Sequence, residues 1–161
     1  MCALTVIGGG WGALIVVPLF ASARTRPFAS SLCGVLAATA AVVFTLKAIV
    51  QRPRPYLSVA GAHARVFEPP SDFSFPSGHA AGSFAFATFV AVVVMSRAAR
   101  EPSTSKRAIA LSVLALAAAS GVAMSRCALG VHFPVDVLAG ATLGAAAGAL
   151  GARWHIRRMA Q

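Results

Sequence analysis

Five long apolar runs leave this chain few folds to choose from. They cover Ala3–Ser22, Phe28–Val50, His79–Arg97, Ala108–Ser125 and Pro134–Ala152. Each approaches the roughly 20 residues that a helix needs to cross a hydrocarbon core. In that core every backbone N–H and C=O must be bonded within its own segment, so runs of this length are read as helices. The expected fold is all-α: a polytopic membrane helical bundle of about five transmembrane helices, forming a single membrane-embedded domain over residues 1–161. Composition agrees. Hydrophobic residues make up 58% of the chain and charged residues 11%, whereas soluble domains carry about 25% charge. The mean hydropathy is +0.77.

The formal net charge of +10 would suit a nucleic-acid binder if the cations formed one basic face. They lie instead in short clusters between apolar runs, the pattern of membrane topology, so nucleic acid is not an expected partner. Cys2, Cys33 and Cys127 are odd in number and widely spaced, which argues against a disulfide framework. The first run lacks a basic n-region and a small-residue cleavage site, and reads as a retained helix. Gly140, Gly144 and Gly148 recur every fourth residue in the last run, a ridge that lets a neighbouring helix approach closely.

Three polar segments stand out against this background. The first closes the second run: Lys47 lies inside apolar sequence, and Arg54-Pro55 follows seven residues later. An ammonium at bilayer depth costs about 2.5–3.5 kcal/mol on insertion scales, so Lys47 either faces a partner or snorkels to the headgroups. The second is Pro76-Ser77-Gly78-His79, directly before the third run. Ser77 suits a helix cap, Gly78 permits close backbone approach, and free N–H groups at a helix start attract anions. The third is Ser125–Asp136, holding Arg126, His132 and Asp136. Pro134 suits the first position of a helix, which puts Asp136 on its first turn. There the carboxylate either caps the helix or accepts the His132 Nδ1–H and leaves Nε2 as a base or nucleophile. In the intervening loop, Gln51–Pro76, His63, Arg65, Glu68 and Asp72 read as solvated residues.

Threading decides which segments can meet. With the N-terminus outside, nine of the fourteen Lys and Arg residues fall inside and five outside, which the positive-inside rule favours. Two runs separate the Lys47–His79 region from the Ser125–Asp136 region, so all three segments reach the extracytoplasmic face. Lys47, Arg54 and Arg126 then meet a helix-start anion nest and two histidines. Arginine forks onto phosphate oxygens and lysine adds a point charge. In this arrangement His132 attacks phosphorus, Asp136 orients it, and His79 protonates the leaving oxygen. The cations and the Ser77 and Gly78 amides stabilise the equatorial oxygens. Four widely spread acids do not build a magnesium cage, so no metal or other cofactor is expected.

Together these segments resemble the type 2 phosphatidic acid phosphatase superfamily, which also includes the vanadium haloperoxidases. The family pattern stands here as Lys47-x6-Arg54-Pro55, Pro76-Ser77-Gly78-His79 and Ser125-Arg126-x5-His132-x3-Asp136. The motif core spans residues 47–136. The resemblance implies an all-helical core and metal-free hydrolysis of a lipid phosphomonoester or diphosphate. His132, His79 and Asp136 would be catalytic, with Lys47, Arg54, Ser77, Gly78 and Arg126 on the phosphate. It also implies a multi-pass protein of a bacterial cell (inner) membrane, with lipid phosphates and membrane lipids as partners. Undecaprenyl diphosphate is the expected substrate; phosphatidic acid, phosphatidylglycerophosphate and phosphotransfer to a second lipid are the alternatives. Bacterial members often have six spans, so the first is expected to be missing here.

Overall fold

The computed structural model describes residues 18–66 and 68–161. It is helical, as expected. Among the described residues the long elements are α1 (Arg26–Val50), α3 (Gly78–Ala98), α4 (Ser105–Ala128) and α5 (Pro134–Arg158). A one-turn helix, α2 (Pro55–Ser58), follows α1, and a 3₁₀ turn at Pro102–Thr104 precedes α4. Four helical segments are long and apolar enough to cross a membrane. They correspond to the second to fifth apolar runs. Most of the first run, residues 3–17, lies outside the described residues, and its end forms a 3₁₀ turn at 18–20.

The helices start and stop where backbone chemistry dictates. Proline stands in the first turn of α1, α2 and α5, where its missing N–H costs nothing. α1 stops at Gln51, which turns left-handed at φ 49°, and the Pro53 and Pro55 that follow cannot continue a helix. α5 runs past Ala152 to Arg158, because Arg153–Arg158 contains no breaker and its cations suit a helix C-terminus. Much of the bundle surface is apolar. Phe44, Ile49, Leu114, Met124, Leu138 and Leu150 are each between 66% and 72% exposed, which is tenable in lipid and not in water.

Inside, small residues let the helices close. A Cβ added to Gly144 would sit 2.0 Å from the Ala81 carbonyl oxygen, and one on Gly148 would sit 2.4 Å from that of Ala85. The expected glycine ridge is thus the seam between α5 and α3. Near one rim the core is Ala29, Leu32, Phe89, Val93 and Ala152, with Phe28 and Phe89 edge to face at 5.3 Å. Towards the other rim Ala80, Ala123 and Val137 fill the interior, bringing the ends of α3, α4 and α5 together beneath the polar loop. That loop is docked by backbone. The Arg65 amide donates to the Leu129 carbonyl at 2.9 Å. Gly130, at φ 68°, passes so close to His63 that a Cβ would lie 2.5 Å from its carbonyl oxygen.

Candidate active site

The C-terminal ends of α1 and α4, the N-terminal ends of α3 and α5, and the 51–76 loop converge at one rim. Lys47, on the last turn of α1, is buried. Its Nζ lies 2.8 Å from Asp72 Oδ2 and donates to the Phe73 carbonyl. Arg54 is buried just before α2. Its Nη2 meets Asp72 Oδ1 at 2.5 Å, Nε the Asp72 carbonyl at 2.7 Å, and Nη1 the Val131 carbonyl at 2.7 Å. Asp72 keeps the half-exposed side chain expected of a loop residue, but it also bridges two of the expected phosphate-binding cations. Burial alone would raise its carboxyl pKa, but hydrogen bonds from Lys47 and Arg54 outweigh that and hold it below the usual range.

His132 sits just outside α5 and is buried. Desolvation, together with the Arg54 and Lys47 charges, lowers its pKa to about 3 despite the opposing pull of Asp136. The ring is neutral near pH 7. Its Nδ1 is 3.8 Å from Asp136 Oδ2, beyond a hydrogen bond. The direct bond expected from sequence is replaced by a bridge: Ser74 Oγ donates to Asp136 Oδ2 at 2.5 Å and lies 3.4 Å from His132 Nδ1. Asp136 is fully buried and saturated, with Oδ1 held by Arg52 Nη1 at 2.9 Å and Oδ2 also accepting the Phe133 amide at 2.9 Å. The Arg52 guanidinium also stacks 4.3 Å from the Phe133 ring centroid.

This network fixes the protons. The hydroxyl proton of Ser74 goes to Asp136, so Ser74 Oγ is left to accept from His132 Nδ1–H, alongside the Ser74 backbone carbonyl. Arg54 Nη1, which can only donate, lies 3.3 Å from Nε2. Nε2 therefore carries the lone pair, as a nucleophile requires.

Ser77, fully buried, caps α3 by accepting from the Ala80 amide at 3.5 Å. Its own amide donates to the Asp136 carbonyl at 2.9 Å. That bond ties the second segment to the third, and it takes the Ser77 N–H away from the anion nest. The Gly78 and His79 amides open α3, where a helix has no internal acceptors for them. His79 lies within electrostatic reach of Arg126, Arg54, Asp72 and Lys47. Arg126 is buried on the last turn of α4, its Nε and Nη2 3.3 Å from Ser125 Oγ, within electrostatic reach of Arg54. All eight residues singled out from sequence thus meet at this rim. Sequence reasoning passed over Arg52, Asp72 and Ser74.

The profile of the PAP2 superfamily matches residues 28–160. The chain is 34% identical over 110 residues to decaprenylphosphoryl-5-phosphoribose phosphatase of Mycobacterium tuberculosis, in two strains. The alignment covers 68% of this chain and 51% of the relative, so the chain spans about half the length of the curated relatives it matches. The crystal structure of a transmembrane PAP2-type phosphatidylglycerolphosphate phosphatase from Bacillus subtilis superposes with a TM-score of 0.77 at 25% identity. It covers 97% of this chain and 75% of that one. With its membrane-spanning helices, three motif segments and cationic rim, this chain belongs to the PAP2 superfamily.

Proposed function

We propose that this chain is an integral membrane lipid phosphatase working through a phosphohistidine at His132. The observation that carries the reading is the proton network that leaves the Nε2 lone pair of a neutral imidazole inside a ring of cations. Nε2 attacks phosphorus as the P–O bond to the lipid alcohol breaks, and His79 gives its proton to the departing oxygen. The positive charge gained by the ring is balanced through Ser74 by Asp136, which Arg52 pairs at 2.9 Å. Arg54, Arg126 and Lys47, with the Gly78 amide, hold the equatorial oxygens. Water, deprotonated by His79, then displaces the imidazole and releases phosphate.

The relatives support a substrate class, since their names describe phosphatases of a decaprenylphosphoryl-linked phosphoribose and of phosphatidylglycerolphosphate. A terminal phosphomonoester on a lipid headgroup is therefore the first candidate. Undecaprenyl diphosphate, the substrate expected from sequence, is not singled out by either relative. Metal-free chemistry is supported by the full burial of Asp136 under Arg52, Ser74 and the Phe133 amide, and by the ion pairs of Asp72 with Lys47 and Arg54. An extracytoplasmic site in a bacterial inner membrane is supported by the cation excess at the opposite rim.

His132→Ala is expected to abolish phosphate release from lipid phosphomonoesters while the protein stays folded; turnover near wild type removes the nucleophile assignment. Activity is expected to survive excess chelator and to be inhibited by vanadate, and loss with EDTA restored by magnesium overturns the metal-free reading. Single cysteines in the 51–76 loop are expected to label from outside; labelling only from the cytoplasm refutes the orientation.

A further inference from the structure

About a membrane thickness from the cup lies a second polar site. His155 is 19 residues along α5 from Asp136, about 28 Å at 1.5 Å per residue. It is 3% exposed, and its ring is packed between Phe28 and Phe89, with centroids at 6.0 and 5.9 Å. Ser31 Oγ lies 2.9 Å from His155 Nδ1 and gives its own proton to the Pro27 carbonyl at 2.8 Å. Ser31 must then accept from Nδ1–H, so the lone pair of the neutral ring is on Nε2. Among the described residues Nε2 has no partner, yet no side-chain N or O is both fully buried and unbonded. Nε2 therefore opens into the space the residue lines. That space is a cavity of about 220 Å³ between the ends of α3 and α5, bounded by Val93, Ser96, Arg97, Arg100, His155 and Ile156, with Met159 at its edge.

The donor and acceptor set is specific. Arg97 and Arg100 offer only donors and positive charge, which suits a phosphate. His155 Nε2 is an acceptor, which suits a hydroxyl. Among the described residues Glu101 is the one acidic side chain near this rim, and it accepts from Ser103 Oγ at 3.4 Å. A cavity that wants phosphate oxygens and a hydroxyl donor together, at headgroup depth between two membrane helices, matches a phosphopolyol headgroup. We propose that this cavity binds the headgroup of a hydroxyl-bearing anionic phospholipid of the phosphatidylglycerol type. Arg97 and Arg100 take the phosphate and His155 Nε2 takes a headgroup hydroxyl. The site is separate from the cup and does not depend on the hydrolytic reading, because such a lipid is a phosphodiester.

The test is native mass spectrometry of the detergent-solubilised full chain with short-chain phosphatidylglycerol, phosphatidylpropanol (the same charge without hydroxyls) and phosphatidylcholine. One saturable phosphatidylglycerol is expected, with phosphatidylcholine at least about tenfold weaker. Arg97→Gln/Arg100→Gln is expected to weaken phosphatidylglycerol about 25-fold, about fivefold per arginine. His155→Phe keeps the ring packing and should reduce phosphatidylglycerol to the level of phosphatidylpropanol. Arg126→Gln, in the cup, should leave this binding intact. Unchanged affinity in the double glutamine variant, or loss in Arg126→Gln instead, overturns the site. Displacement by inorganic phosphate with no preference among the lipids overturns the headgroup assignment. Turnover of a soluble phosphate ester at the wild-type rate checks that the exposed arginine variants fold.

Discussion

Ser74→Ala is the sharpest test of the proton network. Ser74 is fully buried, and its hydroxyl spans the gap between His132 Nδ1 at 3.4 Å and Asp136 Oδ2 at 2.5 Å. Remove the oxygen and the nearest carboxylate atom to Nδ1 is 3.8 Å away, too far to accept a hydrogen bond. The Ser74 backbone carbonyl still faces the ring, so what is lost is one hydrogen bond, about 1 kcal/mol to a neutral group and up to about 3 kcal/mol to a charged one. The cost grows in importance as the ring becomes a phosphorylated imidazolium, because the Nδ1–H then carries more charge. If the whole loss falls on the transition state, kcat drops by about 5- to 150-fold. KM should hardly move, since the Ser74 hydroxyl is engaged with Asp136 and His132. The assay is steady-state phosphate release from a lipid phosphomonoester, with a thermal melt to show that the variant folds. A kcat within twofold of wild type in a folded variant would refute the bridge and return Asp136 to a direct role.

Three further outcomes follow from the same geometry. Gly144→Ala places a Cβ 2.0 Å from the Ala81 carbonyl oxygen, so it should cost at least about 1–3 kcal/mol of overpacking and lower the melting temperature; Gly34→Ala, whose Cβ meets nothing within 4 Å among the described residues, is the control and should not. Asp72→Asn removes a half-exposed carboxylate from Lys47 and Arg54, so inhibition by inorganic phosphate should strengthen by up to about fivefold; weaker inhibition would mean that Asp72 holds the cations in place. His132 titrates at about 3 when folded and about 6.5 when unfolded, so the unfolded chain gains its proton first and stability should fall as pH drops from 6.5 towards 3. His132→Gln should flatten the melting-temperature profile between pH 6.5 and 4, and an unchanged slope would contradict the buried neutral ring.

The helices were legible because their cause is local. Lipid forces any long apolar run to satisfy its own backbone, so α1, α3, α4 and α5 follow from hydropathy, and Pro134 and Ser77 mark their starts. The convergence of Lys47, His79 and His132 was legible too, since crossing parity alone puts their segments at one rim. The bridging residues were not. Ser74 acts through Asp136, 62 positions away, and nothing in the spacing of a loop serine announces such a partner. Arg52 read as one cation among several outside. Asp72 did carry a signal: it is one of only four acids in a chain of net charge +10, and an acid so outnumbered next to buried cations is drawn to them. The span that would precede α1 belongs to residues 3–17, outside the described ones.

Burial separates the two carboxylates of the cup into different jobs. Placing Lys47 and Arg54 at 6% and 3% exposure costs several kcal/mol per charge unless each is paired and hydrogen-bonded. In this structure that pairing comes from Asp72 and from the carbonyls of Asp72, Phe73 and Val131. A phosphate with two negative charges brings the same kind of oxygens to the same two cations. Something must then give way, and accessibility decides what. Asp136 is at 0% exposure, bonded by Arg52, Ser74 and the Phe133 amide, and cannot leave without orphaning three donors. The Asp72 side chain is 49% exposed and has water at hand to rehydrate it. In the proposed reaction, substrate entry is therefore an exchange of one anion for another at Lys47 and Arg54, with Asp136 and its proton chain to His132 standing still throughout.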